Sequence, residues 1–150
     1  LLRLLLGVLK HISDPVVRLF PDSSAWITRQ IDRINAQEFV FFTKGANVAV
    51  LNRVMRYVDE YEHARRLKIV TVVPEGATIA DALGRDVEVL DRAYPGIAIE
   101  FIVLHGEFGP QLIEDLSRQW RIPPNFMFMG SPGPKFPHKI AALGGVRLII

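Results

Sequence analysis

The sequence predicts an α/β domain with five parallel strands in one open sheet and helices on both faces. Five short runs rich in apolar, β-branched and aromatic residues occur after residue 36, and the first four begin roughly thirty residues apart. Each gap between them contains an apolar stripe with the helical period. Strands that alternate with helices form right-handed crossovers and therefore a parallel sheet. The predicted strands are residues 39–42, 67–73, 97–104, 126–129 and 146–150.

The connecting segments carry signals for helix starts and ends. The first helix is predicted to begin after Asn47 and the second after Thr78, because both side chains suit an N-cap. The third begins at Pro110, a favoured first helical position, and Pro123 follows its end. A short fourth helix over 137–143 is closed by a pair of glycines. The strands are apolar almost throughout, which predicts burial on both faces of the sheet.

The candidate site follows from the predicted strand order. A glycine-containing loop after strand four favours the order 3-2-1-4-5, which reverses between strands one and four. Open parallel sheets bind ligands beyond the carboxyl ends of their strands, at such a reversal. The candidate ligand-binding residues are therefore Thr43, Lys44 and Gly45 after strand one, and Gly130, Ser131, Gly133 and Lys135 after strand four.

Two interpretations of these loops stay open. Their backbone N–H groups and lysines could hold an anion. Gly130 and Gly133, followed by Gly144 after ten residues, resemble the glycine pattern of universal stress proteins, which implies ATP binding at this loop. That family usually has a gap of nine residues with Ser or Thr next, whereas Gly145 follows here, and two prolines in the loop remove N–H donors. The alternative is that these glycines only form turns and helix ends.

Other chemistry is weakly supported by the sequence. His105 and Glu107 follow strand three and could form an acid/base pair, but no nucleophile accompanies them, and a structural loop is the favoured interpretation. We therefore predict no catalytic residue, no metal site and no cofactor beyond a nucleotide. The charged run over 59–66 predicts a solvated helix end, with an ion pair between Glu62 and Arg66 at i,i+4 spacing.

The first 36 residues differ from the rest. They contain five basic and three acidic groups, a net charge of +2, whereas residues 37–150 contain thirteen of each. Residues 1–12 have leucines on one helical face, which is typical of an amphipathic helix at a membrane surface and equally of a helix that packs on its own domain. The chain starts without Met, which predicts a piece of a longer protein. We expect residues 1–36 to be a helical arm, residues 37–150 to be the α/β domain, and nucleic acid not to be a partner, because a dense basic stripe is missing.

Nine motifs spread along the chain form a recognisable set. They are FFTKG (41–45), LNRVMRYV (51–58), RRLKIV (65–70), LDRAYP (90–95), HGEFGP (105–110), IPPNFMFMG (122–130), KFPHKI (135–140) and LGGVRLI (143–149), with ITRQIDRIN (27–35) in the arm. Together they resemble the cytosolic C-terminal domain of bacterial amino acid permeases, in the amino acid–polyamine–organocation superfamily.

The resemblance implies a fold like that of universal stress proteins. It also implies a non-catalytic regulatory or dimerisation domain at the cytoplasmic face of the cell membrane, with the protein's own transmembrane transport domain as partner. We also expect a homodimer. A nucleotide-binding domain of the universal stress protein type is the alternative function.

Overall fold

The computed structural model describes residues 37–44, 48–79 and 81–149. Its five strands form one sheet in the order β3-β2-β1-β4-β5, and every neighbouring pair is parallel. The predicted fold class and strand order are therefore confirmed, with the reversal between β1 and β4. The predicted arm over 1–36 lies outside the described residues. The strands are β1 (Glu38–Thr43), β2 (Arg66–Val73), β3 (Ala98–His105), β4 (Met127–Gly130) and β5 (Arg147–Ile149).

Three α-helices occupy the predicted gaps. They are α1 (Val48–Tyr57), α2 (Asp81–Ala93) and α3 (Pro110–Trp120). α1 continues as a π-helical turn (Val58–Glu62), and α3 stops because Arg121 adopts a left-handed φ of 56°. Single 3₁₀ turns follow at Pro124–Phe126 and Ile140–Leu143.

The fourth predicted helix is shorter than expected. Only Ile140–Leu143 is helical, because Lys139 is extended, with ψ at 138°, and the preceding residues do not enter the helix. Gly144 closes this turn with a left-handed φ of 70°, as the sequence predicts. The cap residue Asn47 lies outside the described residues.

The core consists of two layers, one on each face of the sheet. Alternate residues of β1 belong to opposite layers, because successive side chains of a strand point to opposite faces. Helices α1 and α2 cover one face, and α3 with the Ile140–Leu143 turn covers the other. The first layer includes Phe39, Phe41, Leu51, Met55, Leu67, Ile69, Leu83, Leu90 and Phe128, and the second includes Val40, Phe42, Val70, Ile113, Leu116, Met127, Met129 and Leu143.

The expectation that every strand is buried on both faces is wrong for the two edge strands, β3 and β5. The residues of both are exposed or half-buried, because each strand has a neighbour on only one side in the described sheet. Glu100 of β3 forms an ion pair with Lys68 of β2, whose side chain is only 12% exposed and also lies 3.8 Å from Glu38. A charged residue in an edge strand disfavours pairing with a strand of another chain, so Glu100 protects the β3 edge from such pairing.

The predicted pair between Glu62 and Arg66 is also wrong. The π-helical turn ends at Glu62, and His63 then adopts a left-handed φ of 51°, which redirects the chain. Glu62 instead accepts a hydrogen bond of 2.8 Å from Nη1 of Arg147 on β5, while Arg66 lies 3.7 Å from Glu38. The end of α1 is thus tied to the far edge of the sheet. Within the three described ranges, no helix has both the length and the apolar character needed to cross a membrane.

Candidate ligand site at the carboxyl end of the sheet

A cavity of about 330 Å³ lies where β1 and β4 end. We call it the switch-point cavity. The chain leaving β1 passes to α1 on one face, and the chain leaving β4 passes to the Ile140–Leu143 turn on the other. Because the two connections diverge, they leave a crevice between the strand ends, which is where open parallel sheets bind ligands.

The floor and walls of the switch-point cavity are mostly apolar. Phe42 and Met129 come from the strand ends, and Val50 comes from α1. The Phe108 ring forms a wall and meets the Phe42 ring edge-on, with centroids 5.1 Å apart. On its other side, Phe108 lies 6.1 Å from the ring of Phe136. Two aromatic contacts therefore brace this wall, and aromatic walls of this kind suit a planar ligand.

Three polar side chains reach the same cavity. Thr43 is buried at the end of β1, whereas Lys44 and Ser131 are exposed at its rim. Nζ of Lys44 lies 5.8 Å from the centroid of the Phe136 ring. In the described part of the chain, every buried polar side-chain atom already has a hydrogen-bond partner. At the rim, Lys44 offers a cation and Ser131 a hydroxyl to a ligand.

The predicted site glycines differ from the two glycines that close the Ile140–Leu143 turn. Gly144 and Gly145 have left-handed φ values, 70° and 113°, so a turn requirement explains them. Gly130 and Gly133 have no left-handed φ, so it does not explain these two. A Cβ added at Gly130 or Gly133 would meet no atom within 4 Å, which leaves room for a ligand beside the cavity.

The structure brings most of the predicted site residues together. Thr43, Lys44, Gly130, Ser131 and Gly133 all line the switch-point cavity. Gly45 lies outside the described residues, and the exposed Lys135 lines neither this cavity nor the one beside it. That the five lining residues bind a ligand stays a prediction.

Sequence reasoning missed the apolar part of this site. Phe108 lies in the loop with His105 and Glu107, for which the sequence favours a structural role, Val72 falls within a predicted strand, and no prediction names Val50. The available signal was an aromatic residue just beyond the end of strand three, since the carboxyl ends of parallel strands share one edge.

A second, larger cavity of about 840 Å³ adjoins the first over the ends of β2 and β3. We call it the side cavity. It shares Lys44, Val72 and Phe108 with the switch-point cavity, so the two form one groove. Its charged and titratable lining residues are Lys44, Asp86, Glu107 and His138.

The candidate acid/base pair is not assembled in this groove. Glu107 lines the side cavity, but His105 lines neither cavity and is exposed at the end of edge strand β3. Among the residues that the structure describes, no group of three or more His, Asp or Glu side chains is placed to hold a metal ion.

A charged cluster lies at the β5 edge of the sheet. Arg147 pairs with Glu62, donates from Nε to the carbonyl oxygen of Asn125 at 2.8 Å, and lies 4.3 Å above the ring of Phe128. Tyr57 donates its hydroxyl to Oε1 of Glu62 at 3.1 Å. Burial, followed by this bond to a carboxylate, raises the pKa of Tyr57 above 10.0. These contacts fasten the end of α1 to β5, and none of the side chains of Tyr57, Glu62 and Arg147 lines either cavity.

Comparisons with known proteins give a limited result. No protein-family model matches the chain, and no curated protein matches it. Among solved structures, the universal stress protein UspA from Lactobacillus plantarum is similar, with a TM-score of 0.42 and 17% sequence identity over 77% of this chain and 97% of that chain. The comparisons give no support to an amino acid permease origin, which stays a prediction. The chemistry of the groove has to follow from this chain's own residues.

Proposed function

We propose that the described α/β domain is a non-catalytic ligand-binding domain whose switch-point cavity takes a small molecule of the nucleotide class. The observation that carries the proposal is the position and lining of the switch-point cavity. It lies at the reversal of the strand order, where open parallel sheets bind ligands, and residues of both diverging loops line it. Gly130 and Gly133 leave room there, because a Cβ added at either would meet no atom within 4 Å.

The lining chemistry supports a planar ligand with a polar appendage. The Phe42 and Phe108 rings offer an aromatic wall for a base. Ser131 and Lys44 at the rim supply a hydroxyl and a positive charge for a sugar or an anionic group. This division between an apolar interior and a polar rim is typical of small-molecule sites.

The non-catalytic part of the proposal is supported by the separation of the candidate catalytic groups. His105 is outside the groove that contains Glu107. A general acid or base has to lie within hydrogen-bond reach of the reacting group, and of this pair only Glu107 lines the groove.

Isothermal titration calorimetry tests the proposal. The full chain is titrated with ATP, ADP, AMP and cyclic dinucleotides at up to millimolar concentration. At 100 times its Kd, a ligand stabilises the folded state by about 2.7 kcal/mol, so a thermal shift serves as the second readout. The absence of both heat and thermal shift for every probe would refute the proposal.

A matched pair of variants locates the binding. Gly133→Val places a branched side chain in the cavity, and Gly96→Val adds the same atoms at a turn between α2 and β3, where a Cβ also meets nothing within 4 Å. Gly133→Val should weaken binding at least tenfold, whereas Gly96→Val should bind as the unaltered chain does. Equal affinities in the two variants would place the ligand elsewhere.

We further propose that ligand binding regulates an amino acid transporter to which this domain is joined, as the resemblance of the sequence implies. The support is the set of shared motifs and the basic character of residues 1–36. The sequence preceding Leu1 in the complete gene product tests this. If no transmembrane helices precede it, the proposed connection is wrong.

The expected homodimer is a separate proposal, since the described contacts come from one chain. Light scattering on the protein with and without residues 1–36 tests it. Finding a monomer in both cases would contradict the expectation.

A further inference from the structure

We propose that the groove selects a planar ligand with at most one anionic group, such as adenosine or AMP, and discriminates against polyphosphates. This inference rests on the proposed function and names its ligand class more narrowly. Three features of the described residues carry it: the donor content of the loop after β4, the position of the later glycines, and the distribution of charge along the groove.

The loop after β4 offers few backbone donors. Pro132 and Pro134 have no N–H group, and the N–H of Phe136 already donates to the carbonyl oxygen of Gly133 at 3.0 Å. A polyphosphate site depends on successive backbone N–H groups that surround the phosphate oxygens. Alternating prolines interrupt such a series, so this loop is poorly suited to more than one phosphate.

The later glycines lie away from the cavity. An added Cβ at Gly144 would lie 3.9 Å from Pro124, and one at Gly145 would lie 3.7 Å from the backbone nitrogen of Asn125. Both neighbours precede β4, at the amino end of that strand. In the glycine pattern that the sequence resembles, the later glycine belongs to the ATP-binding motif. Here it only turns the chain into β5, so no phosphate contact comes from it.

The charge along the groove sets how far an anionic chain can extend. Lys44 is the single charged side chain among the described residues that line the switch-point cavity. It stands at the boundary with the side cavity, beside Phe136. Beyond it, the side cavity holds the carboxylates of Asp86 and Glu107. A phosphate next to Lys44 gains attraction, whereas further phosphates along the groove approach two negative charges.

Calorimetry with adenosine, AMP, ADP and ATP, with and without magnesium ions, tests this selectivity. We expect AMP to bind most tightly and ATP at least tenfold more weakly than AMP. Tighter binding of ATP than of AMP would overturn the inference and leave the proposed function standing. If none of the four binds, the inference is overturned; the proposed function is refuted as well only if the cyclic dinucleotides also fail to bind.

Two charge variants separate selectivity from general damage. Lys44→Met should weaken AMP about fivefold, to the affinity of adenosine, because an exposed ion pair contributes up to about 1 kcal/mol. Glu107→Gln should narrow the ratio of the ATP and AMP Kd values, because it removes a repelling charge from an exposed position. An unchanged ratio in Glu107→Gln, or equal loss of adenosine and AMP binding in Lys44→Met, would contradict the assigned roles.

Discussion

Replacing Arg147 by Met removes the charge that fastens β5 while keeping an apolar stem over Phe128. Arg147 makes an ion pair of 2.8 Å with Glu62, a bond of 2.8 Å to the Asn125 carbonyl, and a cation–π contact at 4.3 Å. The Glu62 side chain is only 16% exposed, so losing its cation leaves a largely buried carboxylate held by Tyr57 alone. The strand that depends on these contacts has only three residues.

The cost can be worked from these contacts. A hydrogen bond to a charged group contributes about 1.5–3 kcal/mol, and the lower end applies because Arg147 itself is 39% exposed. The cation–π contact adds about 0.5–1 kcal/mol at such a site. We therefore expect Arg147→Met to lower the free energy of unfolding by about 2–3 kcal/mol.

Urea denaturation followed by circular dichroism measures this loss, and Arg118→Met is the matched control. Arg118 lies 2.9 Å from Asp115 and 3.6 Å from Glu114, but its side chain is 68% exposed and all three residues belong to α3. Such a pair contributes little, so we expect a change below about 0.5 kcal/mol. If the two substitutions cost the same, the assignment of a partly buried anchor to Arg147 is wrong.

Three further predictions concern single side chains. The pKa of Tyr57 is raised in the folded state, so its contribution to stability is complete below pH 10.0 and is lost as pH rises through the folded pKa. Above pH 10.0, the free energy of unfolding should therefore fall less for Tyr57→Phe than for the unaltered chain, as unfolding curves at several pH values would show. Gly144→Ala should cost about 1–2 kcal/mol because its φ is left-handed, whereas Gly130→Ala should change the unfolding free energy by less than about 0.5 kcal/mol. Phe108→Ala should lose about 1–3 kcal/mol from its two ring contacts, and should weaken AMP binding in calorimetry.

Each of these has a clear contrary outcome. Parallel pH curves for Tyr57→Phe and the unaltered chain would show that this hydroxyl does not titrate differently on folding. Equal costs for the two glycine substitutions would remove the distinction between turn glycines and cavity glycines. Unchanged AMP affinity in Phe108→Ala would exclude its ring as a wall of the site.

Most of the fold was predictable because it depends on local period and burial. The alternation of Phe39, Val40, Phe41 and Phe42 between two layers follows from their apolar character and the geometry of a strand. Edge exposure was not predictable in the same way. The residues of β3 are as apolar as those of the central strands, and their exposure results from the absence of a strand beyond them in the described sheet.

The site was predictable only in part, for a related reason. Thr43 and Gly130 could be placed because they end the two strands between which the strand order reverses, and open parallel sheets bind ligands at such a reversal. The partners of Glu62 could not, because a single left-handed residue, His63, determines where the chain goes after the π-helical turn. The Phe108 wall likewise depends on contacts with Phe42 and Phe136, which are far from it in sequence.

The groove is built partly from strands and partly from connecting segments. Its floor residues, such as Phe41 and Met129, are held by parallel pairing on both sides of their strands. Its wall and cation, Phe108 and Lys44, come from connecting segments and meet at Phe136. Because the floor residues already belong to hydrogen-bonded ladders, we expect a ligand in the switch-point cavity to restrain the connecting segments more than the strands. Amide hydrogen exchange with and without AMP should therefore show new protection at Lys44, Phe108 and Phe136 before it appears in β1 or β4.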